Sequence, residues 1–197
     1  MAPIGTEVDF NSDQNFEFIQ NGSIDNKNTV KKLLLGILIG IAIPLVAAYL
    51  FINAGGMPVP TKGPPLPLER YIARTSIHKA MQGQTDVVCP LPADEPNLRQ
   101  GARIYRAECA VCHGLPAGKP TATARGMYPR PPQLVRPDRT GVTDDPAGKV
   151  FWIAKNGIRL TGMPGYVDSL SEAELWQVSL LLVHAQELPA SVQDILR

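Results

Sequence analysis

The stretch Cys109-Ala110-Val111-Cys112-His113 is the most informative part of this 197-residue chain. Two cysteines separated by two residues and followed directly by a histidine form the C-x-x-C-H spacing of c-type haem attachment. The two thiols can add to the two vinyl groups of one porphyrin, and the adjoining imidazole is then placed to bind the iron. The motif therefore predicts one covalent haem c, bound through Cys109 and Cys112 and ligated by His113.

Two other kinds of site use closely spaced cysteines. A thioredoxin-like dithiol follows a strand in a βαβ pattern, whereas residues 97–108 have the pattern of a helix. A zinc site needs a second pair of cysteine or histidine ligands, and only Cys89, His78 and His184 remain, each isolated in the sequence. Haem attachment is therefore the favoured interpretation. The two histidines are expected at the surface or at helix ends, and Cys89 is expected to be buried and inert.

Methionine is the side chain expected to complete the iron site, because a thioether favours ferrous iron and raises the reduction potential. Met163 lies in Gly162-Met163-Pro164, a loop whose glycine and proline can hold a sulfur rigidly. It lies about 50 residues after His113 and just before the last long predicted helix. Met127, in Gly126-Met127-Tyr128-Pro129, is the competing candidate, and any methionine can simply fill a core. We predict Met163 as the sixth ligand.

Residues 97–188 resemble a class I cytochrome c domain of the bacterial, membrane-anchored kind. The resemblance rests on Gly101 and Tyr105 in the first helix, the motif from Cys109 to Gly114, Pro132-Gln133-Leu134, Gly162-Met163-Pro164, and Trp176 in the final helix. It implies an all-α fold wrapped round the haem, in which the first and last helices cross and Gly101 admits Trp176.

The resemblance also implies an orienting bond for the haem histidine. In this family the carbonyl of the proline at the position of Pro132 accepts the Nδ1 proton of the histidine, here His113. Such a bond fixes the tautomer and orientation of a ligating imidazole. Pro131 is a weaker candidate for the same role.

A membrane span is predicted upstream. Leu33 to Ile52 is an uninterrupted apolar run, long enough at 1.5 Å per residue to cross about 30 Å of hydrocarbon. Lys27, Lys31 and Lys32 precede it and no cation follows before Lys62, so the N-terminus is expected in the cytoplasm and the haem domain outside. A cleaved signal peptide is the alternative, but its apolar region is usually shorter and closer to the N-terminus.

The predicted organisation has five parts. They are a cytoplasmic polar arm (1–30), a transmembrane signal-anchor helix (31–53), a Pro-rich linker with a short helix (54–96), the cytochrome c domain (97–190) and a tail (191–197). The polar arm has neither helical nor strand periodicity and is expected to be solvated, with docking through its aromatic residues as the alternative.

The linker and the last helix have recognisable local patterns. Met57 to Pro67 is proline-rich and expected as polyproline II, and residues 68–82 follow as a helix with Ile77 and Met81 on one face. That helix is expected to pack either on the cytochrome domain or on another subunit, and the sequence favours neither alternative. Ser171 and Glu174 form a capping-box pattern at the start of the last helix.

Charge and composition limit the function. A formal net charge of +1 gives no basic field for nucleic acid. The basic loop is expected to be solvated, with pairing to haem propionates or docking to an acidic partner as alternatives; its arginines are Arg125, Arg130, Arg136 and Arg139. Trp152 is expected in packing, with an indole bond to a propionate as the alternative.

The combined prediction is a membrane-tethered electron carrier, or the electron-transfer subunit of a respiratory complex, on the outer face of a bacterial cytoplasmic membrane. Its expected partners are the membrane and redox proteins, with neither nucleic acid nor a small-molecule substrate. No catalytic residues are predicted. The alternative is a haem enzyme or a gas or redox sensor with an open or labile sixth position.

Overall fold

The computed structural model describes residues 26–116, 118–136 and 142–197. Across these ranges the chain is helical and holds no strand, which confirms the predicted all-α fold; one isolated antiparallel bridge joins Ile158 and Met163. Most of the predicted polar arm and the predicted solvent-facing Arg139 lie outside the described residues.

The helices are numbered here in chain order. They are α1 (Asn26–Asn53), α2 (Glu69–Met81), α3 (Glu95–Ile104), α4 (Ala110–His113), α5 (Ala122–Gly126), α6 (Ala147–Asn156), α7 (Glu172–Val183) and α8 (Ala190–Ile195), with a π-helical turn (Tyr105–Cys109) between α3 and α4. The chain divides into two compact units, one ending at residue 57 and the other beginning at residue 58.

The first unit contains α1. Its segment Lys27–Asn53 has a mean hydropathy of 2.6 over its most apolar window, and none of that window is buried. The helix is therefore long and apolar enough to cross a membrane, although a signal sequence has the same length and composition. It begins at Asn26, earlier than the predicted boundary at residue 31.

In the second unit, α3 and α7 cross at Gly101. A Cβ atom at this position would collide with the carbonyl of Gln177, so only glycine allows the two backbones to come so close. The expected partner of Gly101 was Trp176, and here the expectation was wrong. Trp176 instead stacks on Phe151 of α6, with ring centroids 4.0 Å apart and an angle of 13° between the rings.

The start of α7 follows from its sequence. The Ser171 hydroxyl accepts a hydrogen bond from the Glu174 amide (3.3 Å), and the Glu174 carboxylate accepts one from the Ser171 amide (2.9 Å). Both halves of the predicted capping box are thus present. The buried residues that follow, including Leu175, Val178 and Leu182, form the predicted core stripe.

The end of the chain is part of the core. We predicted residues 191–197 to be a tail, whereas Val192 and Leu196 are buried and the Arg106 side chain donates a hydrogen bond to the carbonyl of Ile195 (2.7 Å). Helix α8 packs against α3. The cytochrome unit therefore extends to the last turn of the chain, because these two apolar side chains complete the interior beside α3.

Candidate haem site

The motif is presented by a change in helical pitch. After α3 the chain widens into the π-helical turn, in which the amide of Ala110 donates to the carbonyl of Tyr105. One α-helical turn then carries Cys112 and His113 and ends at Gly114, whose φ of 75° favours glycine. The buried Tyr105 hydroxyl donates to the Gly114 carbonyl (2.7 Å). This bond ties the beginning of the motif to its end.

One cavity of about 300 Å³ lies against the motif. Cys109, Cys112, His113, Pro132 and Met163 all line it, so the structure brings together all five residues singled out in the sequence. The rest of its wall is mostly apolar and includes Met127, Leu134, Val142, Val150, Ile153, Ile158, Val178 and Leu182. Pockets of about 300–1,000 Å³ with apolar walls and a few polar groups are typical of ligand and cofactor sites.

The His113 ring is held by a hydrogen bond from its Nδ1 atom. Its Nδ1 atom lies 2.7 Å from the carbonyl oxygen of Pro132, and since a carbonyl only accepts, Nδ1 is the donor. The second nitrogen, Nε2, is then the one with a free lone pair in the neutral ring. Burial lowers the pKa of His113, while the bond to Pro132 acts in the opposite direction. Burial therefore favours the neutral ring, which is the form that binds a metal ion.

Cys109, the first cysteine of the motif, is uncharged at neutral pH. Burial raises the pKa of the Cys109 thiol, the neighbouring Glu108 and Cys112 act in the same direction, and together they bring it to about 12. None of the three cysteines forms a disulfide, so Cys109 and Cys112 are both free thiols. The side chains of Cys109 and Cys112 both line an apolar cavity, which suits the edge of an apolar ring.

Met163 lies on a constrained loop. The Ile158 amide donates to the Met163 carbonyl (3.1 Å), and Gly157, with φ of 66°, is so close to Pro164 and Gly165 that a Cβ atom would collide with them. These contacts hold the loop that carries Met163 at the cavity. Met127 is also near, because a Cβ atom on Gly162 would press on its methyl group. Both thioethers predicted as candidates therefore reach the cavity.

Leu160, at the tip of the same loop, has an unusual backbone. Its φ is 65°, a left-handed conformation that costs a residue with a Cβ atom about 1–2 kcal/mol. Its side chain is 95% exposed, so no burial offsets this strain.

Three predictions about neighbouring residues can be compared with the structure. The Trp152 indole donates to the Gln84 side chain (3.0 Å), which accounts for its N–H group without a propionate. Among the loop arginines, Arg130 lines the cavity while the Arg125 side chain donates to the carbonyl of Pro120 (2.8 Å). Cys89 is half-buried, and its thiol donates to the carbonyl of Leu91 (3.5 Å).

Helix α2 contributes a wall residue that was not predicted as part of the site. Ile77 of α2 lines the cavity, and Met81, one turn later, is buried. Helix α2 therefore touches the cytochrome unit at its C-terminal end. The apolar face of this helix was visible in the sequence, but nothing in the local pattern indicated which surface it meets.

The donor set fits a preformed haem. Within the described ranges, no three His, Cys, Asp or Glu side chains are grouped as they would be to bind a bare metal ion. The cavity instead offers two thiols at i and i+3, one imidazole with its Nδ1 atom already bonded, and thioethers within an apolar wall. These are the groups through which a protein attaches and ligates haem c.

Comparison with known proteins gives the same class. Residues 96–180 match the sequence profile of the family described as cytochrome c oxidase, cbb3-type, subunit III. Fold, site and match together define this part of the chain as a class I c-type cytochrome domain. It accordingly binds haem c and has an electron-transfer role. The search of curated proteins gives no match.

Proposed function

We propose that this protein is a membrane-tethered monohaem cytochrome that carries single electrons outside a bacterial cytoplasmic membrane, as a free carrier or as a subunit of a respiratory complex. The main support is the convergence of Cys109, Cys112, His113 and Met163 on one apolar cavity. A haem iron held there supplies reversible one-electron chemistry between its ferrous and ferric states.

Each site residue has a separate role in this proposal. Cys109 and Cys112 would hold the porphyrin covalently, and His113 and Met163 would ligate its iron. The Pro132 carbonyl would fix the imidazole through its 2.7 Å bond to Nδ1, which leaves Nε2 as the nitrogen available to the iron. The contacts of its loop would hold the Met163 thioether beside the cavity. Little rearrangement is then needed when an electron arrives or leaves.

An electron carrier is favoured over a haem enzyme or sensor because few acidic or basic side chains line the cavity. Apart from His113, its wall contains the carboxylates of Glu108 and Asp145, and Asp145 forms an ion pair with Lys149. Two thioethers at the wall also make an open sixth position unfavourable.

The tether and its orientation rest on α1 and on charge. The helix is of spanning length, and the lysines Lys27, Lys31 and Lys32 lie at its N-terminal end. The positive-inside rule then puts the second unit outside the cytoplasm. Redox proteins are the expected partners. The description of the matched family is that of an oxidase subunit. This supports the second of the two proposed roles, a subunit of a respiratory complex.

Covalent attachment is tested by the mass of the purified full-length protein and by its pyridine haemochrome spectrum. The parent chain should carry the mass of one haem. Cys112→Ala should give the spectrum of a single thioether or lose haem, whereas the matched variant Cys89→Ser should keep both thioethers because Cys89 does not line the cavity. A parent chain without added haem mass would contradict the proposal, as would loss of haem from the Cys89 variant alone.

Orientation is tested with a membrane-impermeant thiol reagent on intact cells. In a Cys89→Ser background, a cysteine placed at Thr61 should be labelled and one placed at Ser23 should not. The reverse pattern would contradict the proposed orientation while leaving the haem site unaffected.

A further inference from the structure

We propose that the segment from Ile77 to Val87, named here the strap, forms a wall of the haem crevice and raises the reduction potential by excluding water from it. This inference rests on the proposed haem site. It assigns a role to residues that precede the match to the cytochrome family, which begins at residue 96.

The strap reaches the cavity through one side chain. Ile77 is half-buried and lines the same cavity as Cys112, His113 and Met163. The opposite side of α2 is solvent-facing, since Tyr71 is 68% exposed and Ile72 is 57% exposed. Only the last turns of α2 therefore contact the cytochrome unit.

Contacts beyond the helix hold the strap in place. Met81 is buried, and the Gln84 side chain accepts the Trp152 indole N–H (3.0 Å). At Gly148 the backbone of the strap comes so close that a Cβ atom would collide with the Thr85 carbonyl. Both of these contacts are on α6.

Helix α6 connects the strap to the crevice. Its residues Val150, Ile153 and Ala154 line the cavity, while Gly148 and Trp152 hold the strap. The position of Ile77 is thus fixed relative to a wall of the cavity. Gly148 lies in the first turn of α6, where the absence of a Cβ atom allows this close backbone approach.

The expected consequence is electrostatic. Oxidation adds one positive charge at the iron, and water stabilises that charge better than an apolar wall does. A wall that excludes water therefore disfavours the ferric state and raises the reduction potential. Ile77 contributes an apolar side chain at this position, so it acts on the potential through solvent access and not as a ligand.

The test compares two serine variants of the same helix in the detergent-solubilised full-length protein. Ile77→Ser should lower the midpoint potential measured by spectroelectrochemical titration, and should speed reduction by a small hydrophilic reductant such as ascorbate. Ile72→Ser is the matched control and should change neither quantity. Ile77→Leu keeps an apolar side chain and should retain the parent potential.

A second variant tests the strap without altering the cavity wall. Gln84→Ala removes the exposed bond to Trp152, and should lower the potential in the same direction by a smaller amount. If Ile77→Ser fails to retain haem, the Gln84 variant decides the question. An unchanged potential in the Gln84 and Ile77 variants, or an equal shift in Ile72→Ser, would overturn the inference. In either case an intact haem spectrum would leave the proposed function standing, whereas a parent chain without haem would remove it.

Discussion

The Nδ1 atom of His113 and the carbonyl oxygen of Pro132 are 2.7 Å apart, although 19 positions separate the two residues in the chain. This bond turns a loop that has no regular structure into a support for the predicted haem ligand. The carbonyl belongs to the backbone, so the side chain at position 132 matters mainly through the path that proline imposes on the loop. The geometry thereby joins a local motif to a remote segment.

Gly101→Ala should destabilise the cytochrome unit. The added Cβ atom would meet the Gln177 carbonyl where α3 and α7 cross, and overpacking of this kind typically costs about 1–3 kcal/mol. Denaturant unfolding followed by circular dichroism measures the change. Gly126→Ala is the control, since nothing lies within 4 Å of a Cβ atom there. Equal stability of the two variants would contradict the described helix crossing.

Leu160→Gly should raise the free energy of unfolding, by up to about 1 kcal/mol, because it relieves a left-handed conformation with little loss of buried surface. Val167→Gly is the comparison: Val167 is 52% exposed and has no positive φ, so glycine there should be destabilising. The same unfolding experiment applies. A destabilised Leu160→Gly protein would show that the leucine side chain contributes more than its exposure suggests.

The capping box at the start of α7 should make the free energy of unfolding depend on pH. Hydrogen bonds from the side chain and the backbone of Ser171 lower the pKa of Glu174. A carboxyl group with a lowered pKa in the folded state stabilises the protein above its unfolded pKa, and the contribution is lost as the pH falls through the folded pKa. Thermal unfolding between pH 7 and pH 3 should therefore show a larger loss in the parent than in Ser171→Ala. Parallel pH profiles would exclude this contribution.

The sequence predicted local features better than contacts between distant parts of the chain. The helix that leads into the C-x-x-C-H motif and the capping box of α7 depend on residues a few positions apart, and the structure shows both. The crossing partner of Gly101 was mispredicted because it depends on how α7 is rotated about its axis. That rotation follows from packing, here the stacking of Trp176 on Phe151.

Other parts of the site and fold required the tertiary structure. The apolar face of the helix that contains Ile77 was apparent in the sequence. The other residues that line the cavity come from distant segments, so the contact itself could not be predicted. Residues 190–196 were too short and too weakly periodic to be recognised as a helix of the core. The roles of Cys109, Cys112, His113 and Met163 toward iron remain predictions, supported by their common cavity.

The most direct test of the central proposal compares Met163→Ala with Met127→Ala in the reduced protein, by absorption spectroscopy with and without carbon monoxide. Both methionines line the cavity, so the pair separates ligation from packing. A His113–Met163 electron carrier predicts that the Met163 variant binds carbon monoxide and loses the spectrum of six-coordinate low-spin iron, while the Met127 variant keeps the parent spectrum and excludes the gas. Carbon monoxide binding by the Met127 variant, with the Met163 variant unchanged, would contradict that ligand assignment. Binding by the parent protein itself would contradict the electron carrier and favour an open haem site.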